Sequence, residues 1–352
     1  MSKWIDFSKD DRLAMIQGVV AAKGIDEAAA EKDWWVTAVL YAVFHTSVGE
    51  YLLFKGGTSL SKGYGIISRF SEDIDLALSR EFFLKVRGLN CAKCESNTQL
   101  HNLREKGQDF LFGELVDELR AKLTEMGLDV EVLTQAEDIA RMGETRQVPH
   151  DKDPSVIYVQ YPSLYNETTT YALPTVKLEI SVLSMQEPYE IRRISSLVEQ
   201  TFTDEDVDSD LVQTIRTVSP ARTFLEKAFL LCEEYQKEHP RTRRMTRHFY
   251  DLEKLMDTDY GRAALADLTL YHEIVEHRLK FYHVGYVDYD KELPENIIIV
   301  PDDGLMDAYR IDYDEMCGSF IYGGALKFDV LLERMKELEV RFRKTPLNVK
   351  HP

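Results

Sequence analysis

The residues best suited to chemistry lie close together, in the run KGGTSLSKGYGIISRFSEDIDLAL from Lys55 to Leu78. It opens with a glycine pair and two hydroxyls, Gly56, Gly57, Thr58 and Ser59, and Lys62 follows. It closes with Asp73 and Asp75 alternating with Ile74, Leu76 and Leu78. Side chains along a strand point to opposite faces in turn, so this alternation predicts paired carboxylates on one face and aliphatics on the other. Neighbouring carboxylates repel one another unless a cation sits between them. Mg2+ prefers oxygen ligands, keeps several waters and completes its shell with phosphate oxygens. The glycine turn adds backbone N–H groups at a helix start, a natural seat for phosphate. Together these residues imply a Mg2+ and nucleotide site. Alone, a glycine pair is only a turn and an acidic strand only a wet edge; their adjacency carries the inference.

A third carboxylate is expected from residues 175–182, where Val176, Leu178, Ile180 and Val182 alternate with Lys177, Glu179 and Ser181. That pattern brings Glu179 to a polar surface where Asp73 and Asp75 can converge. Outside that context Glu179 is an ordinary half-exposed glutamate beside a lysine. In a two-ion site, one cation would activate the attacking hydroxyl and the other would neutralise the departing pyrophosphate.

The elements that must position these groups can be read from periodicity. Residues 10–48 read as two helices, the second strongly apolar, and 51–54 as a short strand or a helix end. Residues 59–65 begin a helix that Gly63 and Gly65 cut short, and 73–78 form the acidic strand. A polar, irregular excursion is expected over 81–105, then a helix over 106–126 carrying Phe110, Leu111, Leu115, Leu119 and Leu123. Further strands are expected at 128–133, 156–161 and 176–183, giving a mixed sheet of four strands or more. After Pro220 come three amphipathic helices (ARTFLEKAFLLCEEYQKE, MTRHFYDLEKLM and RAALADLTLYHEIVEHRLKFY), an acidic, turn-rich segment over 301–314 and a last helix over 325–343. The fold class is α+β: a mixed sheet flanked by helices over 1–210, and a mainly helical domain over 211–352 that contributes to the active-site cleft.

At 352 residues, 44% hydrophobic and 30% charged, the composition is that of a soluble globular chain. The start, MSKWIDFSKDDRL, is charged where a signal peptide would be apolar, and no apolar run is long enough to cross a bilayer, so a cytoplasmic protein without membrane partners is expected. A net charge of −18 argues against a broad grip on a nucleic-acid backbone, although RTRRMTR at 241–247 supplies a local basic patch. The lone CxxC of Cys91 and Cys94, with only His101 nearby, is too little for zinc. Exposed or half-buried thiols are expected instead.

At these residues the chain resembles the AbiEii/AbiGii-type nucleotidyltransferase toxins, a branch of the DNA polymerase β-like minimal nucleotidyltransferase superfamily. A GGT, small residue, Leu, Ser, Lys motif matches Gly56 to Lys62, and RFSxDIDL matches Arg69 to Leu76 without a gap. A helical lysine motif matches Lys227, and an Arg followed by Asp-Leu matches Arg247 to Leu252. The resemblance runs over about residues 45–260 and leaves the C-terminal part and the Cys91/Cys94 pair without a counterpart. It implies a nucleotidyltransferase fold and NMP transfer from an NTP, often to RNA such as the tRNA acceptor end. Asp73 and Asp75 would hold Mg2+ and the triphosphate would rest on Gly56, Gly57, Thr58 and Ser59. Lys62, Lys227 and Arg247 would meet phosphate charge, and Asp251 would position or deprotonate the acceptor. It further implies a toxin–antitoxin or phage-defence setting and an antitoxin with a DNA-binding domain. Read without the resemblance, Lys227 is an exposed helix lysine, and Arg247 with Asp251 a helix ion pair. Two other readings stand beside this one. Modification of a protein hydroxyl is favoured by the acidic charge. A non-catalytic nucleotide-binding module has no need of the paired carboxylates.

Overall fold

The computed structural model describes residues 3–165, 173–205 and 207–344. The chain divides into two units, Met1–Gly63 with Phe70–Thr217, and Tyr64–Arg69 with Val218–Pro352.

The first unit is built around a sheet. In chain order it holds helices α1 (Lys9–Lys23) and α2 (Glu27–Phe44), strand β1 (Leu52–Lys55), the short helix α3 (Gly56–Lys62), β2 (Asp73–Leu78), α4 (Asn97–Phe110), α5 (Val116–Glu125), β3 (Glu131–Thr134), α6 (Gln135–Arg141), β4 (Ser155–Gln160), β5 (Thr175–Ser181), β6 (Tyr189–Ile194), α7 (Leu197–Thr201) and β7 (Gln213–Val218). The seven strands lie in the order β3-β4-β5-β2-β1-β7-β6. β2 is central, antiparallel to β1 and parallel to β5.

Helix α2 explains how one face of this sheet is sealed. Trp34, Trp35, Val36, Ala38, Val39 and Leu40 are all buried, so the helix is covered on every side, as a core helix must be. It packs on β2 and β5. Glu72 falls on the aliphatic side of the β2 alternation, and there Lys32 of α2 meets it at 2.7 Å. Trp35 stacks on Tyr161 at 4.8 Å between ring centroids. The aliphatic face of β2 is therefore core, and its acidic face is the one left for chemistry.

The second unit is helical: α8 (Pro220–Glu234), α9 (Thr246–Met256), α10 (Asp259–Ala266), α11 (Leu268–His277), α12 (Met306–Ser319) and α13 (Phe328–Arg343). Phe224, Phe249, Tyr271, Tyr309, Met335 and Phe342 are buried in it.

Several expectations need correction. The sheet gains β6 and β7, which the periodicity did not predict. The 81–105 excursion is not irregular throughout: α4 begins at Asn97, with Ser96 accepting from the Gln99 N–H as its cap. The single helix expected over 262–282 breaks at Asp267, whose side chain caps α11 by accepting from the Leu270 N–H at 3.1 Å. The segment expected to be turn-rich carries α12, which buries Tyr309, Asp312, Tyr313 and Met316. Cys94 and Cys232 are buried rather than half-exposed. His101 turns to Asp151 at 3.1 Å instead of toward the cysteine pair. Among the described residues no helix is long and apolar enough to cross a membrane.

Candidate active site

The junction of β1 and α3 meets the acidic strand at van der Waals distance. Gly56 has φ +79, a conformation that favours glycine, and a Cβ built on it would lie 2.0 Å from Asp75 Oδ2. Glycine is therefore required twice over, by the backbone and by the carboxylate resting against it. The strand register then assembles the rest of the face. Lys55 lies opposite Asp75 on one side, and Glu179 lies opposite it on the other. One step along, Asp73 lies opposite Lys177, which faces Tyr158 of β4. The Lys55 ammonium donates to Ser184 Oγ at 2.9 Å, while that of Lys177 bonds to Glu179. Burial pulls the Lys177 pKa down, but Glu179 and then Asp73 outweigh it and hold the ammonium above its ordinary value. Among the described residues no three His, Cys, Asp or Glu side chains already surround a point where an ion could be held. What the face gathers is three carboxylates, Asp73, Asp75 and Glu179, on two paired strands. That chemistry fits Mg2+, which leaves several positions to water and phosphate.

A second group of charged residues forms within the helical unit. Asp251 of α9 is fully buried and is held by Arg69 in a fork, Nε to Oδ1 and a terminal nitrogen to Oδ2, both at 2.7 Å. Lys227 of α8 joins it, Nζ to Oδ2 at 2.9 Å. Burial alone would raise the Asp251 pKa, yet Arg69 and Lys227 drive it far below the usual carboxylate range. Lys227 is only 8% exposed, and its burial lowers its pKa against the pull of Asp251. His248 is pushed down by burial and then by Lys227 and Arg247, which keeps the ring neutral. The strap carrying Arg69 is fastened in the same unit: the Ser68 carbonyl accepts from Tyr322 and Gly323 N–H groups at 3.1 Å.

A family model described as nucleotidyl transferase AbiEii toxin, Type IV TA system, matches residues 38–334. The chain belongs to this family. It is thus a nucleotidyltransferase and the toxin of a toxin–antitoxin pair, which implies a cognate antitoxin. The match extends past the limit of about residue 260 drawn from motifs alone. No match was found among the curated proteins.

In this AbiEii chain the sequence-predicted residues do not all face the carboxylates. Asp73, Asp75 and Glu179 share one polar face with the Gly56 turn beside them. The hydroxyls of Thr58 and Ser59 are buried and used internally. Thr58 Oγ1 donates to the Asp73 carbonyl, and Ser59 Oγ donates to the Gly56 carbonyl at 2.9 Å. Thr58 ties α3 to β2 and Ser59 closes back on the first turn of α3, which leaves the Gly56–Gly57 backbone as the part of the motif suited to an anion. Lys62 is also spent on structure: it bonds Asp33 of α2, whose second oxygen accepts from the Leu197 N–H at 2.7 Å. Lys227 and Asp251 belong to the group in the helical unit, and Arg247 adds its charge there. The basic run is partly neutralised, since Arg241 is forked onto Glu234 at 2.7 and 2.9 Å. Arg69 was not singled out from sequence. Its partner is 182 residues away, and its only signal was its place in the RFSxDIDL match.

Proposed function

We propose that this AbiEii nucleotidyltransferase transfers NMP from a Mg2+-bound NTP to an RNA acceptor, the tRNA 3′ end foremost. The observation that carries the reading is the in-register pairing of Asp75 with Glu179, one step from Asp73 and directly against Gly56. Asp73 and Asp75, with Glu179, would hold the ion, and the Gly56–Gly57 turn would seat the triphosphate. Bound there, the ion would polarise the α-phosphate and neutralise charge on the leaving group. The acceptor hydroxyl oxygen forms a bond to the α-phosphorus, the α–β P–O bond breaks, and pyrophosphate leaves with the electron pair. The hydroxyl proton passes to water. Asp251 is an unsuitable base, because two cations occupy its oxygens and depress its pKa. Its role in this reading is to orient Lys227 and keep it charged. The partner antitoxin would carry a DNA-binding domain, and the pair would act in phage defence.

The test is incubation with labelled NTPs and total tRNA. Label at the RNA 3′ end, pyrophosphate release, loss on chelation and loss in Asp73→Asn are expected. No NTP-dependent labelling of RNA under any of the four nucleotides would overturn the acceptor assignment. A second reading, transfer to a protein hydroxyl, is favoured by the net charge of −18 and by the neutralised Arg241. Adding lysate protein to the same assay separates the two, since label would then appear on protein and not on RNA.

A further inference from the structure

We infer that Lys177 is a positioning residue that pairs with Glu179 and thereby sets how tightly the acidic face takes a divalent cation. This deepens the proposed function and rests on its reading of Asp73, Asp75 and Glu179 as the metal-holding set.

The geometry is specific. Lys177 and Glu179 project from the same face of β5, and the ammonium is bonded to Glu179 Oε1. Across the parallel pairing, Lys177 stands opposite Asp73 and Glu179 opposite Asp75, so the positive charge sits at one corner of the acidic square. Lys55 borders the same face but directs its ammonium to Ser184 Oγ, 2.9 Å away. A partly exposed ion pair of this kind contributes little to folding. Its effect on a competing cation is larger. A divalent ion seeking the Glu179 oxygen must displace the ammonium bonded to it, so the two cations compete for one carboxylate. Lys177 would weaken cation capture until triphosphate oxygens arrive to add ligands, so that metal and nucleotide bind together.

The test uses Mn2+ as the probe, titrated into the full chain without nucleotide and followed by the EPR signal of the free ion. Lys177→Met is expected to bind Mn2+ about tenfold more tightly than the unaltered protein, with Lys177→Arg close to the unaltered value. Should Lys177→Met fold poorly by circular dichroism, Lys177→Gln carries the same expectation. Asp73→Asn provides the reference for the site itself and is expected to weaken Mn2+ binding. Unchanged or weaker binding in the Lys177 variants, with Asp73→Asn weakened, would overturn this inference and leave the metal reading standing. Unchanged binding in Asp73→Asn would overturn the metal reading and this inference with it.

Discussion

Gly56 and Asp75 behave as a matched pair. The carboxylate occupies the space a side chain would need, and the left-handed backbone at Gly56 aims the start of α3 beside it. Gly56→Ala is expected to displace Asp75 by more than an ångström or to unwind the first turn of α3. Misplacement on that scale costs about 10²-fold in rate. Steady-state NMP transfer, with a melting curve to show that the variant is folded, checks this. The Arg69–Asp251–Lys227 group makes a different demand, because charges buried together stabilise only while each has its partner. Asp251→Asn would leave two buried cations facing an uncharged amide and is expected to cost about 3–5 kcal/mol of stability. Lys227→Met removes one cation and leaves the Arg69 fork on Asp251, so it should cost clearly less while abolishing activity. Denaturant titrations of the two variants provide the comparison. Equal losses would make Lys227 a structural residue and nothing more.

At the scale of elements, α3 is the hinge between chemistry and scaffold, and Lys62 belongs to the scaffold. Its bond to Asp33 ties α3 to α2, and Asp33 in turn holds the start of α7. Lys62→Met is expected to cost about 1.5–3 kcal/mol, the value of a hydrogen bond to a charged group, and to leave the KM for NTP unchanged. A tenfold rise in KM with stability intact would return Lys62 to the phosphate. The sequence could not distinguish these roles, because the direction of a lysine on a short helix depends on which helix packs beside it. The strands β2 and β5 were legible because over most of their length half-exposed residues alternate with buried ones, so Asp73, Asp75 and Glu179 stand out against Ile74, Leu76, Leu178 and Ile180. β6 was not, because its run YEIRRI exposes Tyr189 and Ile191 and shows no apolar face. β7 passes almost directly into α8 through Ser219, without a turn signal to set it apart. α12 did carry a signal, the helical spacing of Tyr309, Tyr313 and Met316, hidden among acidic residues. The pairing of Arg69 with Asp251 had none, since nothing local records a contact across 182 residues.

For the molecule as a whole, 61 acidic residues against 43 basic ones make self-repulsion grow as pH rises. Much of that repulsion lies at the surface and is screened by salt. One contribution is not. Glu292 is fully buried, with Arg278 Nε at 3.6 Å and Glu233 paired to that same guanidinium. Burial, with Glu233 adding to it, pushes its pKa up to about 9 against the attraction of Arg278. The neighbouring Cys232 thiol is pushed up to about 11 and the Tyr271 hydroxyl is also raised, so neither titrates below Glu292. With its pKa raised above the unfolded value of 4.5, Glu292 in the folded chain keeps a proton that the unfolded chain has released. Its contribution is therefore fully present below about pH 4.5 and is lost as pH rises toward 9. Glu292→Gln holds a neutral group of the same shape at every pH and should remove that slope. The variant is expected to gain on the unaltered protein by roughly 2 °C or more in Tm between pH 6 and pH 9, taking about 2–4 °C per kcal/mol for a unit of this size. The gain should persist in high salt, where the surface contribution fades. Thermal unfolding of both proteins across pH, at low and high ionic strength, decides it: parallel curves would mean that Glu292 is ionised in the folded chain and that Arg278 balances both carboxylates.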